Sequence, residues 1–532
     1  MTLSTIDLAV VIAYAIGIFA LAQYVSRDRA GHQKDSADYF LASKSLPWWA
    51  IGASLIAANI SAEQIVGMAG SGYAIGLAIS SYEWMAALTL LIVGKWFLPI
   101  FLRNGIYTMP QFLEQRFGPR LRTLMAVFWL GLYVFVNLTS IIWLGSIAVN
   151  QVAGIDQDVA LIGLGLFALL YQIRGGLKAV AMTDIVQVTL LVFGGLCVSA
   201  ITLSRIGGAA GILGGFARLQ QAVPGHFDMI LSADNPFYKD LPGISVLIGG
   251  MWIANLSYWG FNQYIIQRAL AARDLGEAQK GIVLAAFLKI LMPFVIVLPG
   301  IAAVVLAPDL AKPDQAFPTM MRLLPPGLLG LVFAALIAAI VASTASKINS
   351  IATIFTLDLY AKRRGARTAA EDDAPGRRAI ERQLVLVGRI AAAVAIVLAM
   401  LTARPLLGQS DQAFQYIQEY TGFFTPGITV IFLMGLFWKR ATEAGALTAA
   451  IASFVLSLGL KTAAPAIPFM DRMAIVFGAA ALLAAIVSLL RPQAREVNRV
   501  VTGDVVYATS FSFNAAAVGV VAILAALYAT WW

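Results

Sequence analysis

Apolar runs of about 20 residues recur some fourteen times along this chain, each long enough to cross the hydrocarbon core of a bilayer as a helix. Lipid offers no hydrogen bonds to backbone N–H and C=O groups, so such runs are held to helical conformations that satisfy those groups internally. The runs fall at approximately 5–25, 46–72, 77–103, 119–153, 157–174, 178–204, 243–269, 275–307, 325–361, 379–404, 408–438, 442–461, 470–490 and 507–531. Composition points the same way. Of 532 residues, 60% are hydrophobic and only 12% charged, and the mean hydropathy of +0.81 is far above that of a soluble domain. The expected fold class is an all-α integral membrane protein with about fourteen transmembrane helices.

Counted over alternate loops, roughly 25 Lys and Arg lie on one side and about 8 on the other, which makes the first side cytoplasmic and places both termini outside. These loops account for the net charge of +9, so no nucleic-acid partner is implied. The first run has no basic leader or small-residue cleavage site and reads as a retained span. Cys197, the single cysteine, lies within a span and has no partner for an intrachain disulfide. The longest hydrophilic connection, 205–242, reads as an external lid, and Lys362 to Arg382 as a flexible cytoplasmic linker. With no soluble output domain in the pattern, transport is favoured over signalling, and a transporter-like sensor stays as the alternative.

A short echo suggests internal symmetry. Ala58-Asn59-Ile60-Ser61 in the second run returns as Ala254-Asn255-Leu256-Ser257 in the seventh, each among glycines. The two runs are separated so that they cross in opposite directions, the pattern of an inverted repeat whose broken helices expose backbone groups at the midplane. The corresponding division is 1–45 as an extra helix and loop, 46–204 and 243–438 as the two repeats around the loop 205–242, and 439–532 as accessory helices.

Polar groups inside these runs locate the function. Asn59, Glu63, Gln64 and Glu83 stand where lipid-facing residues would be expected, and ionisable groups at that depth usually line a substrate or ion path. Asn59, Gln64, Glu83, Asn255, Lys289 and Gln418 together offer amide, carboxylate and ammonium partners, while Tyr82, Tyr258, Trp259 and Phe414 offer flat apolar faces. A neutral sugar has the matching surface, with hydroxyls around the rim and a C–H face that packs on rings. Helix–helix hydrogen bonding is the alternative use of the amides.

The runs SLIAANISAEQIVGMAGSGYAIGLAISSYEWM (54–85), ANLSYWGFNQYIIQR (254–268), EAQKGIVLAAFLK (277–289), AFQYIQEYTG (413–422) and RGGLKAV (174–180) resemble the sodium/solute symporter family, specifically its bacterial sodium/galactose and sodium/glucose members. The resemblance implies a LeuT-like five-plus-five inverted repeat with one helix before it and three after it, in a bacterial inner membrane. It also implies sugar contacts at Asn59, Gln64, Glu83, Asn255, Lys289 and Gln418, an inner gate at Tyr258, and outer gates at Met68, Tyr82 and Phe414. Gln263, Trp259 and Asn262 would support the pocket. By the same resemblance sodium is the coupling ion, held by carbonyls of Ala57, Ile60 and Ala339 and the hydroxyl of Ser343, with Asp184 on its exit route; no cofactor is implied.

Three departures from the family pattern bear on this expectation. The expected Ser-Ser pair reads Ala342-Ser343, and Thr344 is displaced about 100° around the helix, so it does not replace the lost hydroxyl. Lys347 stands where the family has an apolar residue, and three roles are open to it: pairing with Asp184, substituting for sodium's charge, or snorkelling to the cytoplasmic surface. Ala86 takes the place of a serine in galactose-type members, which leaves the individual hexose open. The expected activity is sodium-coupled symport of a neutral hexose, with a proton-coupled or uncoupled carrier as its rival. An enzyme is not expected: only His32 and His226 occur, and no nucleophile–base pair is apparent.

Overall fold

A computed structural model describes residues 3–25, 46–106, 108–172, 177–361, 374–492, 500, 503 and 505–532. Among its helices, in chain order, are α1 (Thr5–Val25), α2 (Trp48–Asn59), α3 (Glu63–Ala74), α4 (Leu77–Arg103), α5 (Pro119–Ala153), α6 (Gln157–Gln172), α7 (Leu177–Gly207), α8 (Gly250–Phe261) and α9 (Gln263–Leu270). They continue as α10 (Leu275–Leu306), α11 (Leu328–Ala361), α12 (Ala374–Leu407), α13 (Ala413–Thr421), α14 (Thr425–Phe437), α15 (Glu443–Ala463), α16 (Phe469–Leu490) and α17 (Phe511–Thr530). Among the described residues, 9 helices are long and apolar enough to cross a membrane, or up to 11 if each of two bent pairs is one span. Val385, Leu386, Ile390, Val394 and Leu401 lie exposed along α12 at helical spacing, an apolar face suited to lipid.

The first bent pair has a local cause. Ile60 is extended (φ −71°, ψ 110°), which ends α2. Ser61 then starts the next segment, its Oγ accepting the N–H of Glu63 at 3.2 Å. Residues 63–68 continue as a wider π-helical stretch, and the two halves meet at 67°. Backbone bonding across the break is limited to Ile60 N to Ile56 O at 2.8 Å and Ile65 N to Ser61 O at 3.0 Å, so the carbonyls of Ala57 and Ile60 lose their usual i+4 donors. Further on, α13 and α14 meet at 47°, with Pro426 in the first turn of α14.

In the seventh run the break falls elsewhere than the echo implies. Asn255 sits within α8, and the extended residue is Asn262 (φ −86°, ψ 121°), between α8 and α9. Asn255 stays helical, and its Nδ2 donates back to Met251 O at 3.1 Å, one turn earlier.

The core is organised around α10, which packs on α2, α3, α4 and α7. Glycines allow this closeness: a Cβ on Gly300 would lie 2.1 Å from Ala69 O, and one on Gly52 2.7 Å from Gly281 O. The start of α10 is capped by Asp274, whose carboxylate accepts from Glu277 N at 2.9 Å, while Glu277 accepts from Trp48 N at 2.9 Å and ties α2 to the same end. At the end of α14, Arg116 donates to the carbonyls of Gly435, Trp438 and Ala441 at 2.9 to 3.1 Å.

The connection 205–242 is more ordered than a plain loop. A helix, Gly211–Ala222, packs along α7, and Met229 N donates to Trp531 O at 2.8 Å. The predicted linker is partly helical, since α12 begins at Ala374; residues 362–373 lie outside the described residues. So do 174–176 of the Gly-Gly signature and the side chain of Asp184.

Candidate functional site

The break after α2 presents Asn59 to the interior, and the first turn of α3 adds Gln64 beside it. α4 contributes Glu83 and α10 contributes Lys289, the latter 1% and the former 2% exposed. These four side chains form one network. Lys289 Nζ lies 2.5 Å from Glu83 Oε2 and also donates to Asn59 Oδ1, while Gln64 Nε2 reaches Glu83 Oε1 at 3.2 Å and Asn59 Oδ1 at 3.4 Å. Trp259 lies beneath the ammonium, 4.9 Å from ring centroid to Nζ. Among the described residues Gln64 Oε1, which is buried, has no hydrogen-bond partner, and an acceptor of this kind is available to a ligand.

The network borders a cavity of about 100 Å³ that also touches Tyr82, Asn255, Tyr258, Phe414 and Gln418. Tyr82 and Phe414, both on its wall, meet edge to face at 5.1 Å. Tyr258 OH accepts from Asn59 Nδ2 at 3.0 Å and shares a hydrogen bond with Tyr264 OH at 2.6 Å. Ala86 is also on the wall, so the missing hydroxyl is missing from the cavity itself.

Some expected members are placed differently. Met68, the last residue of the π-helical stretch, is fully buried but is not among the residues that line this cavity. Gln263 also lies off the cavity, its Oε1 accepting from Met109 N at 2.6 Å; Asn262 does line it and accepts from Tyr133 OH at 3.0 Å. Trp259 lines the cavity as expected.

A second cavity, about 20 Å³, lies beyond Tyr264 between α2, the break and α11. Ala57, Ser61, Ala339 and Ser343 line it, with Gln187, Ser346 and Lys347. Carbonyl and hydroxyl oxygens of this kind suit a hard cation. Ile60 is at the adjoining break but is not among the lining residues. Glu63 borders both cavities, and its carboxylate accepts from Ser140 Oγ and, at 3.5 Å, from Ser61 Oγ. Lys347 does not snorkel: it is 4% exposed, with its ammonium 4.0 Å from the ring centroid of Tyr264. The sequence marks Glu63 as a buried carboxylate but assigns it no role, and it gives Tyr264 no signal beyond an aromatic six residues after Tyr258, uninformative until the chain breaks at Asn262.

Outside the spans, Asp314 holds the start of α13, its Oδ2 accepting from Ala413 N at 3.1 Å next to Phe414. Burial pushes its carboxyl up to about 7, against the opposing pull of that hydrogen bond.

Comparison with known proteins gives a consistent result. The model of the sodium:solute symporter family matches residues 39–453. The sodium/glucose cotransporter of Vibrio parahaemolyticus is 51% identical, with 100% of this chain and 99% of that protein covered. The sodium/myo-inositol cotransporter 2 of Sus scrofa is 34% identical over 86% of this chain and 70% of its own length. Among solved structures, a Na+-coupled sialic acid symporter in a substrate-bound outward-open state superposes with a TM-score of 0.74 at 22% identity, covering 92% of this chain and 99% of that one, a likeness of fold.

Proposed function

Because this chain belongs to the sodium:solute symporter family, we propose that it carries a neutral hexose of the glucose or galactose type into the cell together with sodium, by alternating access. The observation that carries the substrate class is the buried network of Asn59, Gln64, Glu83 and Lys289 on a cavity that aromatic rings also line. The relative with 51% identity over the whole chain, named a sodium/glucose cotransporter, supports the same class.

In this reading a hexose exchanges its hydration for the network. Hydroxyls accept from Lys289 and Gln64 and donate to Glu83 and Asn59, so each buried polar group keeps a partner as its present contacts loosen. Asn255 and Gln418 reach further hydroxyls. Tyr82 and Phe414 form the outer gate, with Met68 supporting it from the packing behind, and Tyr258 is the inner gate against which the sugar ring stacks. Sodium is the co-transported cargo, at the small cavity bordered by Ala57, Ala339 and Ser343 with the carbonyl of Ile60, and Asp184 lies on its way out. Both ligands must favour the same conformer, since a ligand shifts an equilibrium only by its differential affinity.

The architecture we propose is fourteen helices with a five-plus-five inverted repeat, 46–204 and 243–438, both termini outside, in a bacterial inner membrane. A sodium-independent carrier is the second reading, favoured by one observation, the Lys347 ammonium beside the small cavity. Uptake of labelled glucose and galactose into proteoliposomes, with sodium or choline outside, tests the function. Sodium-stimulated accumulation of either sugar is expected, and equal uptake in choline would support the second reading.

A further inference from the structure

The small cavity carries an unusual balance of charge for a place that receives a cation. Arg268 and Lys347 both border it, and among the described residues on its wall one carboxylate, Glu63, stands against them. Arg268 is committed to structure: its Nε donates to Ser54 Oγ at 3.1 Å and its NH1 to Tyr264 O. Glu63 is likewise held by Ser140 and Ser61. The Lys347 ammonium is different. It is buried, and among the described residues it makes no hydrogen bond or ion pair; it lies against the faces of Tyr264 and Tyr133, at 4.0 and 5.4 Å from their centroids.

Ring faces hold an ammonium by only part of what lost hydration costs, so a group placed this way is attracted to any oxygens within reach of its stem. Those oxygens are on the same cavity. Ser343 lies one helical turn before Lys347, roughly 6 Å along the axis, and Ser61 and Ser346 add hydroxyls to the wall. A lysine has four methylenes with which to cover that span. The oxygen set that accepts a sodium ion accepts three N–H donors equally well. Ala342, on the same wall, adds no hydroxyl that would favour the metal ion.

We propose that Lys347 is a tethered cation that competes with sodium for the small cavity, the ammonium and the sodium ion being alternative occupants of one set of oxygens between α2 and α11. The inference rests on the sodium-coupled reading and adds a residue that sets its sodium affinity. Two consequences run in opposite directions. Removing the ammonium strengthens sodium binding, because like charges across a small cavity no longer repel. It also weakens hexose binding in the absence of sodium, because nothing then bridges α2 and α11 in sodium's stead.

The test is binding of radiolabelled sodium and of labelled glucose to the purified full chain in detergent. Lys347→Met and Lys347→Gln should each bind sodium with a half-saturating concentration lower by about tenfold, and should retain less glucose than the natural protein when sodium is absent. Lys347→Arg, which keeps the charge, should retain the natural values of both. Equal half-saturating sodium in the natural protein and in both neutral variants would overturn the competition while leaving sodium coupling intact. Absence of sodium binding in all four proteins would overturn the competition and the sodium-coupled reading together.

Discussion

Replacing Lys289 with methionine separates a sugar ligand from a structural ion pair. The change leaves the Glu83 carboxylate, 2% exposed, with one neutral donor, Gln64 Nε2 at 3.2 Å, in place of an ammonium at 2.5 Å. Breaking a buried pair by removing one partner costs about 3 to 5 kcal/mol, because an uncompensated charge stays in the interior. Lys289→Met should therefore lower the stability of the detergent-solubilised protein by about that amount in chemical unfolding. Adding Glu83→Gln removes the stranded charge, and the double variant should recover to within about 1 kcal/mol of the natural protein. Glucose binding should behave otherwise. Each lost charge-assisted hydrogen bond to the sugar is worth about 1.5 to 3 kcal/mol, or roughly 10- to 150-fold in affinity, so the double variant should be stable yet bind glucose at least about 10-fold more weakly. A double variant that regains stability and binds glucose normally would refute the ligand role, and a fully stable Lys289→Met would refute the buried-pair energetics.

Three further outcomes follow from the geometry. Tyr258→Phe keeps the gate ring but loses the hydroxyl contacts to Asn59 and Tyr264, so uptake should fall moderately, whereas Tyr258→Ala should let preloaded glucose leak from proteoliposomes; equal loss in both would shift the role to the hydroxyl. Ala342→Ser adds an oxygen to the small cavity and should lower the half-saturating sodium in a binding titration, an unchanged value arguing against that cavity as the sodium site. For Asp314, whose folded carboxyl is raised to about 7, stability should decline as pH rises from the ordinary carboxylate range through about 7, since the folded state binds the proton more tightly than the unfolded one. Asp314→Asn should remove that part of the slope in thermal unfolding at a series of pH values.

The bilayer made much of the fold legible, because a run that must hide its backbone from lipid announces its own length and class. Helices α4, α5, α10 and α16 stand within a residue or so of where hydropathy put them. Buried charge marks the candidate site in the same way: Glu83 and Lys289 are too costly inside apolar runs to stand unpaired, and they face each other. Less was legible where several local solutions have similar energy. Asn59 and Asn255 share a motif, yet Ile60 becomes extended after one while the other bonds back to Met251 and stays helical. Residues 63–68 are π-helical and Met68 at their end is not on the cavity wall, and a period of 3.6 gives no warning of the wider turn. For Lys347 the sequence supplied the anomaly but not the direction of the stem, which the rings of Tyr264 and Tyr133 determine from other helices.

The central claim, coupled movement of sodium and hexose, is tested most directly by counterflow and gradient-driven accumulation of labelled glucose in proteoliposomes holding the natural protein. An inward sodium gradient should drive glucose above its external concentration, and collapsing that gradient with a sodium ionophore should abolish the accumulation. Accumulation that persists with choline in place of sodium, or that follows an imposed proton gradient instead, would contradict the account.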